Sequence, residues 1–196
     1  MKRILWLLTL PVALAAAVIA LPFLVPRLTA RYLVPIFYRR RRPSAVGRRL
    51  NASWAWLVAR GLLPETWPGF PVSGPASLEV LGRRSGRPRS NMVTWVEYEG
   101  DRYFVAMLGP HSDWVRKIRA ANGEAVLRRG GRKRVRLEQV PVQDSASIIR
   151  EWYQRTWQST LHHFGLEPDA DIAEFERIAP QHPVFRIVPQ PEEGPT

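Results

Sequence analysis

The chain has 196 residues, enough for one domain and a further segment, and its 29 Lys and Arg against 17 Asp and Glu give a formal charge of +12. With no cysteine, disulfides, thiol catalysis and cysteine metal sites are excluded, and the four histidines show no metal-ligand spacing. An arginine surplus of this size points to anionic partners: lipid head groups, nucleic acid or a phosphorylated small molecule.

Ile4 to Pro26 is a run of 23 residues in which Thr9 is the only clearly polar side chain. A bilayer core needs roughly 20 apolar residues as helix, so the run predicts a transmembrane anchor embedded in membrane lipid. It is long for a signal-peptide core of about 7–15 residues, although Ala15-Ala16-Ala17 offers a cleavage site. Lys2 and Arg3 precede it, and Arg27, Arg31, Arg39 to Arg42, Arg48 and Arg49 follow. The positive-inside rule then predicts a single-pass protein of the cell membrane with its C-terminal domain in the cytoplasm. The polybasic stretch beside the anchor suits anionic lipid.

Ser44 to Leu63 reads as an amphipathic helix capped by Ser44, with Val46, Leu50, Trp54, Leu57 and Gly61 on one stripe. That stripe either packs on the domain or, with Trp54 and Trp56, dips into the membrane interface. Pro64 to Pro75 holds four prolines and two glycines and reads as a linker.

From Ala76 the period changes to two. Strands are predicted over Leu78–Leu81, Arg89–Tyr98 and Arg102–Leu108, with a tight hairpin turn at Glu99-Gly100-Asp101. Ser112 or Asp113 caps a helix running to about Ala121, its buried face Trp114, Val115, Ile118 and Ala121, stopped by Asn122-Gly123. Strands follow over Glu124–Arg129 and Arg132–Val142, helices over Asp144–Trp157 and Asp169–Ala179, and a last strand over Pro183–Val188. The order β-β-β-α-β-β-α-α-β predicts a mainly β member of the α+β class, a small antiparallel barrel with flanking helices. The divisions are 1–27 anchor, 28–75 basic juxtamembrane segment, helix and lead-in, 76–190 barrel domain and 191–196 loose tail.

The chemistry concentrates in Gly82-Arg83-Arg84-Ser85-Gly86-Arg87-Pro88-Arg89, four arginines in one strand junction with two glycines. Glycines let backbone N–H groups turn toward a ligand and arginines neutralise anions. The loop Gly109–Asp113 opens a helix whose free N–H groups also favour anions, and Trp114 is placed to lie against an aromatic ring or in the core. No GxSxG, Walker, HExxH or GxGxxG pattern occurs, and a hydrolytic pairing of His111 with Asp113 has no supporting motif.

The arginine turn, the strand after it, Gly100-Asp101-Arg102-Tyr103, Asp113-Trp114 and the segment ending Arg119-Ala120-Ala121-Asn122 together resemble the deazaflavin-dependent nitroreductase family over roughly Ala76 to Val142. The resemblance implies a split β-barrel like that of flavin-mononucleotide-binding proteins. It also implies hydride transfer from the reduced deazaflavin coenzyme F-420 to quinones or nitro compounds. It implies that Arg83, Arg84, Ser85 and Gly86 hold the cofactor phosphate and acidic tail, and that Arg89 adds a basic contact. Asn91, Met92 and Val93 then border the deazaflavin ring, and Trp114 stands at the start of the cofactor-side helix. The sequence departs from the family at Met92, where proline is frequent, and at Lys117, where asparagine is frequent; Lys117 adds charge to the anion site. The substrate-facing tyrosines have no clear counterparts, and Tyr153, Trp157, His162 and His163 are candidates by chemistry alone.

The leading expectation is a membrane-anchored deazaflavin-dependent oxidoreductase acting on a quinone or other small hydrophobic acceptor. The alternative is a non-catalytic barrel that binds deazaflavin, flavin, haem or lipid, with flavin mononucleotide the second-choice cofactor. Nucleic-acid binding through Arg128–Arg136 is disfavoured because aromatics are not interleaved with that charge. Barrels of this type are often homodimers.

Overall fold

The computed structural model describes residues 38–39, 42–62, 74–81 and 86–191. Two short strands, β1 (Tyr38–Arg39) and β2 (Arg42–Pro43), pair antiparallel ahead of helix α1 (Ala45–Ala59). The body comprises β3 (Pro75–Leu81), β4 (Pro88–Tyr98), β5 (Asp101–Val105), α2 (Asp113–Ala120), β6 (Glu124–Arg128), β7 (Arg132–Gln139), α3 (Ala146–Phe164), α4 (Ile172–Ile178) and β8 (Val184–Pro189). All its strand pairs are antiparallel, and they close a barrel in the order β3-β4-β5-β8-β7-β6. A six-stranded antiparallel barrel with flanking helices fits the split-barrel architecture expected from the sequence. The expected transmembrane run lies outside the described residues; no helix among the described residues is long and apolar enough to cross a membrane.

Period-two alternation builds two cores from the same strands. Ala76, Leu78, Val80, Val93, Phe104, Val135, Leu137, Phe185 and Ile187 point inward, and α2 plugs the barrel with Val115 and Ile118. The alternate residues Val96, Val105 and Val184 point outward and pack on α3 and α4 through Ile149, Trp152, Tyr153, Phe164 and Phe175. Burying each large side chain contributes about 1.5–3 kcal/mol.

The hairpin between β4 and β5 turns through Glu99 (φ 49°) and Gly100 (φ 84°), the two positive φ values a two-residue type I′ turn requires. β5 ends three residues earlier than expected: Ala106 N–H still pairs in register with Pro183 C=O, and the chain then turns, Gly109 N–H donating to Ala106 C=O. α3 runs seven residues further than expected and stops before Gly165, whose φ of 66° an L side chain resists.

α1 corrects the expected stripe. Ser44 caps it, its Oγ accepting Gly47 N–H at 3.0 Å. The side that packs on β3 and β4 is Gly47, Ala55 and Val58, with Asn51 and Trp54 half-buried, whereas Val46 and Leu50 are exposed. Small side chains set the closer approach: Gly61 at the end of the helix meets Gly130 of the β6–β7 hairpin, where an added Cβ would come within 3.1 Å of the Gly130 Cα. Gly130 N–H donates to Ala59 C=O at 3.2 Å.

Candidate functional site

β4 changes partner along its length. Residues Pro88 to Thr94 pair with β3, whereas Trp95 to Tyr98 pair with β5. Gly74, at φ 60°, admits this crossing because the Trp95 ring lies where its Cβ would be. The first half of β4 therefore has an edge that no strand ladder covers. Side chains reach it instead: Met92 N–H donates to Asn51 Oδ1 at 3.3 Å, and Thr94 C=O accepts from Trp152 Nε1 at 3.2 Å.

Across the β3 ladder Val93 faces Ala76, Asn91 faces Leu78 and Arg89 faces Val80, so all three share the barrel-inward side. Val93 is buried in the barrel core and Asn91 half-buried, while Arg89 is exposed at the barrel end. The Nδ2 of Asn91 is buried with no hydrogen-bond partner. A buried donor left unsatisfied costs about 1–3 kcal/mol, so this amide is primed for an acceptor.

α2 supplies the second element. Ser112 occupies its N-cap position, but its buried hydroxyl makes no capping bond and has no other partner. Trp114 is half-buried and meets Phe104 and Phe185 edge-on, with ring centroids 6.3 and 5.3 Å apart. Lys117 is largely buried and ion-paired to Asp113, which Arg116 also approaches at 3.8 Å. Asp113 is thus engaged by cations, and no contact joins it to His111.

A cavity of about 280 Å³ opens where β3 ends and β4 begins, beside Leu81 and Pro88. Its apolar lining includes Val80, Ala125 and Val135, and its charged lining includes Arg132, Arg134, Arg136, Glu79 and Glu124. The three arginines alternate along β7, on the side opposite the core residues Val135 and Leu137. Glu79 is held between Arg128 at 3.3 Å and Arg132 at 3.7 Å.

Arg83, Arg84 and Ser85 lie outside the described residues. Gly86 and Arg87 are exposed at the mouth of the turn, Gly86 at φ 62° with open space around it. β4 gathers Arg89, Asn91, Met92 and Val93; Trp114 and Lys117 stand on α2. Tyr153 belongs to the outer core: its hydroxyl donates to Leu166 C=O, and burial first, then the Glu167 carboxylate, push its pKa up. His163 is buried on the same helix, and the side chains of Trp157 and His162 lie outside the described residues. Among the described residues no group of three His, Asp or Glu is placed to hold a metal. The sequence reading missed Asn51, whose partner is 41 residues away, and the β7 arginines as a cavity wall. The alternation of Arg132, Arg134 and Arg136 was the available signal for the latter.

The sequence model of the F420H2-dependent quinone reductase family matches residues 43–162. No curated protein matches the chain. Similar solved structures include an F420 reductase, 17% identical over 66% of this chain and 97% of that one, with a TM-score of 0.41. A conserved hypothetical protein of Mycobacterium tuberculosis is 14% identical over 62% and 76%, with a TM-score of 0.45. The heme storage protein HutZ of Vibrio cholerae is 14% identical over 60% and 82%, with a TM-score of 0.37.

Proposed function

We propose that this chain, which belongs to the F420H2-dependent quinone reductase family, is a membrane-anchored enzyme that delivers a hydride from the reduced deazaflavin coenzyme F-420 to a quinone or nitro-type acceptor. Family membership makes it a deazaflavin-dependent oxidoreductase; the anchor and the acceptor are the proposal. The observation that carries the cofactor assignment is the arginine-walled cavity beside Leu81 and Pro88. A coenzyme bearing a phosphate and a run of carboxylates needs several cations in reach, and charge-assisted contacts of this kind are the strong ones.

The residues present fit such a group. The buried Nδ2 of Asn91 lacks an acceptor, and a planar ring edged with carbonyls supplies one. Arg87 and Arg89, with Arg83 and Arg84 from the sequence, would hold the phosphate, and Arg134 and Arg136 the carboxylates. The backbone of Met92 and Val93, on the uncovered edge of β4, would border the ring. When bound, the reduced deazaflavin supplies the hydride itself. The protein is then left to orient the ring, keep water from the reacting face and neutralise the acidic tail, which needs few acid–base side chains. A membrane quinone suits an enzyme tethered by Ile4–Pro26, since tether and acceptor share the lipid.

Titrating the full chain in detergent with oxidised coenzyme F-420, and with flavin mononucleotide in parallel, tests the reading. Deazaflavin binding is expected, weakened about tenfold or more by Arg83→Ala with Arg84→Ala, since each charge-assisted contact is worth about 1.5–3 kcal/mol. Reduction of a quinone by the coenzyme-loaded protein would complete it. Absence of deazaflavin binding would overturn the reading, and selective binding of the flavin would replace the cofactor.

A further inference from the structure

Helix α1 has two working faces, and only one is used by the barrel. Gly47, Ala55 and Val58 pack inward, while Val46, Leu50 and Trp56 are 51%, 42% and 51% exposed and Leu62, just past the helix, is 59% exposed. Spacings of three and four residues put Val46, Arg49, Leu50, Trp56 and Arg60 on one outer stripe. The Arg60 guanidinium lies 3.8 Å over the Trp56 ring. The chain's charge is divided to match: residues 1–64 hold eleven Lys and Arg and no Asp or Glu, whereas residues 65–196 hold 18 basic and 17 acidic residues. Within the barrel domain, 76–190, the 18 basic residues meet 14 acidic ones, so most of the surplus sits on α1 and the segment before it.

We propose that the outer stripe of α1 is a lipid-docking face that lies flat on an anionic bilayer surface, Leu50 and Trp56 seated at the acyl boundary and Arg49 and Arg60 among the head groups. A basic stripe without a single acidic residue complements a negative surface, and apolar side chains interleaved with arginine give the amphipathic pattern of an interfacial helix. In sequence α1 follows Arg39–Arg42 and the apolar run. Because Asn51 on the inner face holds Met92 N–H and the helix end meets the β6–β7 hairpin, seating α1 on lipid fixes the uncovered edge of β4 relative to the membrane. The proposal rests on the membrane attachment proposed above and adds the orientation that brings the site to a lipid-borne acceptor.

The absence of cysteine makes single-site labelling clean. Leu50→Cys, Trp56→Cys and, as a control on the exposed surface of α4, Arg177→Cys would each carry a polarity-sensitive fluorophore in the full chain reconstituted into vesicles. In phosphatidylcholine with phosphatidylserine, positions 50 and 56 should shift to the blue and be quenched by shallow nitroxide lipids, and position 177 should do neither. The contrast should shrink in pure phosphatidylcholine and when Arg49 and Arg60 are both changed to Glu. Two label positions guard against one variant failing to fold. Labels at 50 and 56 as water-exposed as the label at 177, in both lipids, would overturn the proposal. Alkaline carbonate extraction reads the anchor separately: a chain stripped from the vesicles refutes the tether, and the same labels, read on vesicles added to the full chain, still decide the helix.

Discussion

The barrel's outer wall differs between its two sides. Outside β4, β5 and β8 it is sealed by α3 and α4 through Tyr153, Phe164 and Phe175, all buried. Outside β6 and β7 the outward side chains Arg132, Arg134, Arg136 and Glu138 are exposed. Like charges directly across a ladder destabilise a sheet, yet Arg128 stands opposite Arg132, with the Glu79 carboxylate between them. Carboxylates offset part of that charge: Glu79 meets Arg128 and Arg132, and Glu124 stands directly across from Arg136. Under the proposed function one side carries stability and the other recognition, and substitutions should separate the two.

The largest effect belongs to the sealed side. Phe175→Ala removes a buried ring that packs 5.7 Å from Tyr153 and should lower stability by about 3–5 kcal/mol, read as a drop in the urea midpoint. Deazaflavin affinity of the fraction that remains folded should not change. A fall in affinity without a fall in midpoint would erase the distinction between the sides.

A smaller effect on the same side depends on pH. The Tyr153 hydroxyl has its pKa raised, by burial first and by Glu167 second. The unfolded chain loses this proton from about pH 10, while the folded chain keeps it. The contribution is complete below that pH and declines above it, by about 1.4 kcal/mol per pH unit until the folded group itself ionises. Tyr153→Phe should remove that part of the alkaline decline and, by leaving Leu166 C=O without its donor, cost about 1–3 kcal/mol at neutral pH. Urea midpoints of both proteins on either side of about pH 10 check it; parallel curves would show that Tyr153 does not titrate this way.

Much of this division was legible in the sequence, and the parts that were not share a cause. The strands were legible because β4, β5 and β8 are short runs rich in Val, Phe, Tyr and Trp bounded by turn residues, as at Glu99-Gly100. Local rules also placed the Ser44 cap. The packed face of α1 differs from the expected stripe because helical spacing points to large side chains, whereas the contact is made by Gly47, Ala55 and Val58, two of them small enough for close approach. The site was half visible. Its cations announce themselves, but the uncovered edge of β4 arises from a change of ladder partner at Thr94–Trp95, and Asn51 and Trp152 reach it from 41 and 58 residues away. No local pattern encodes such meetings.

The smallest effect on stability should come from the open side, which makes it the sharpest test. Arg134→Ala with Arg136→Ala alters exposed side chains, so the stability read from the urea midpoint should change by no more than about 0.5 kcal/mol in either direction. Affinity for the deazaflavin coenzyme should nevertheless fall, and the remaining affinity should depend less on ionic strength, because surface attraction to a carboxylate chain is screened over about 10 Å at 0.1 M salt. Titrations of the parent and the double variant at low and high salt separate the possibilities. Equal affinities at both salts would make β7 a plain solvated strand and remove the cavity from the site. A large loss of stability instead would mean that the arginines brace the barrel through Glu79 and Glu124, and the contrast between the two sides would have to be redrawn.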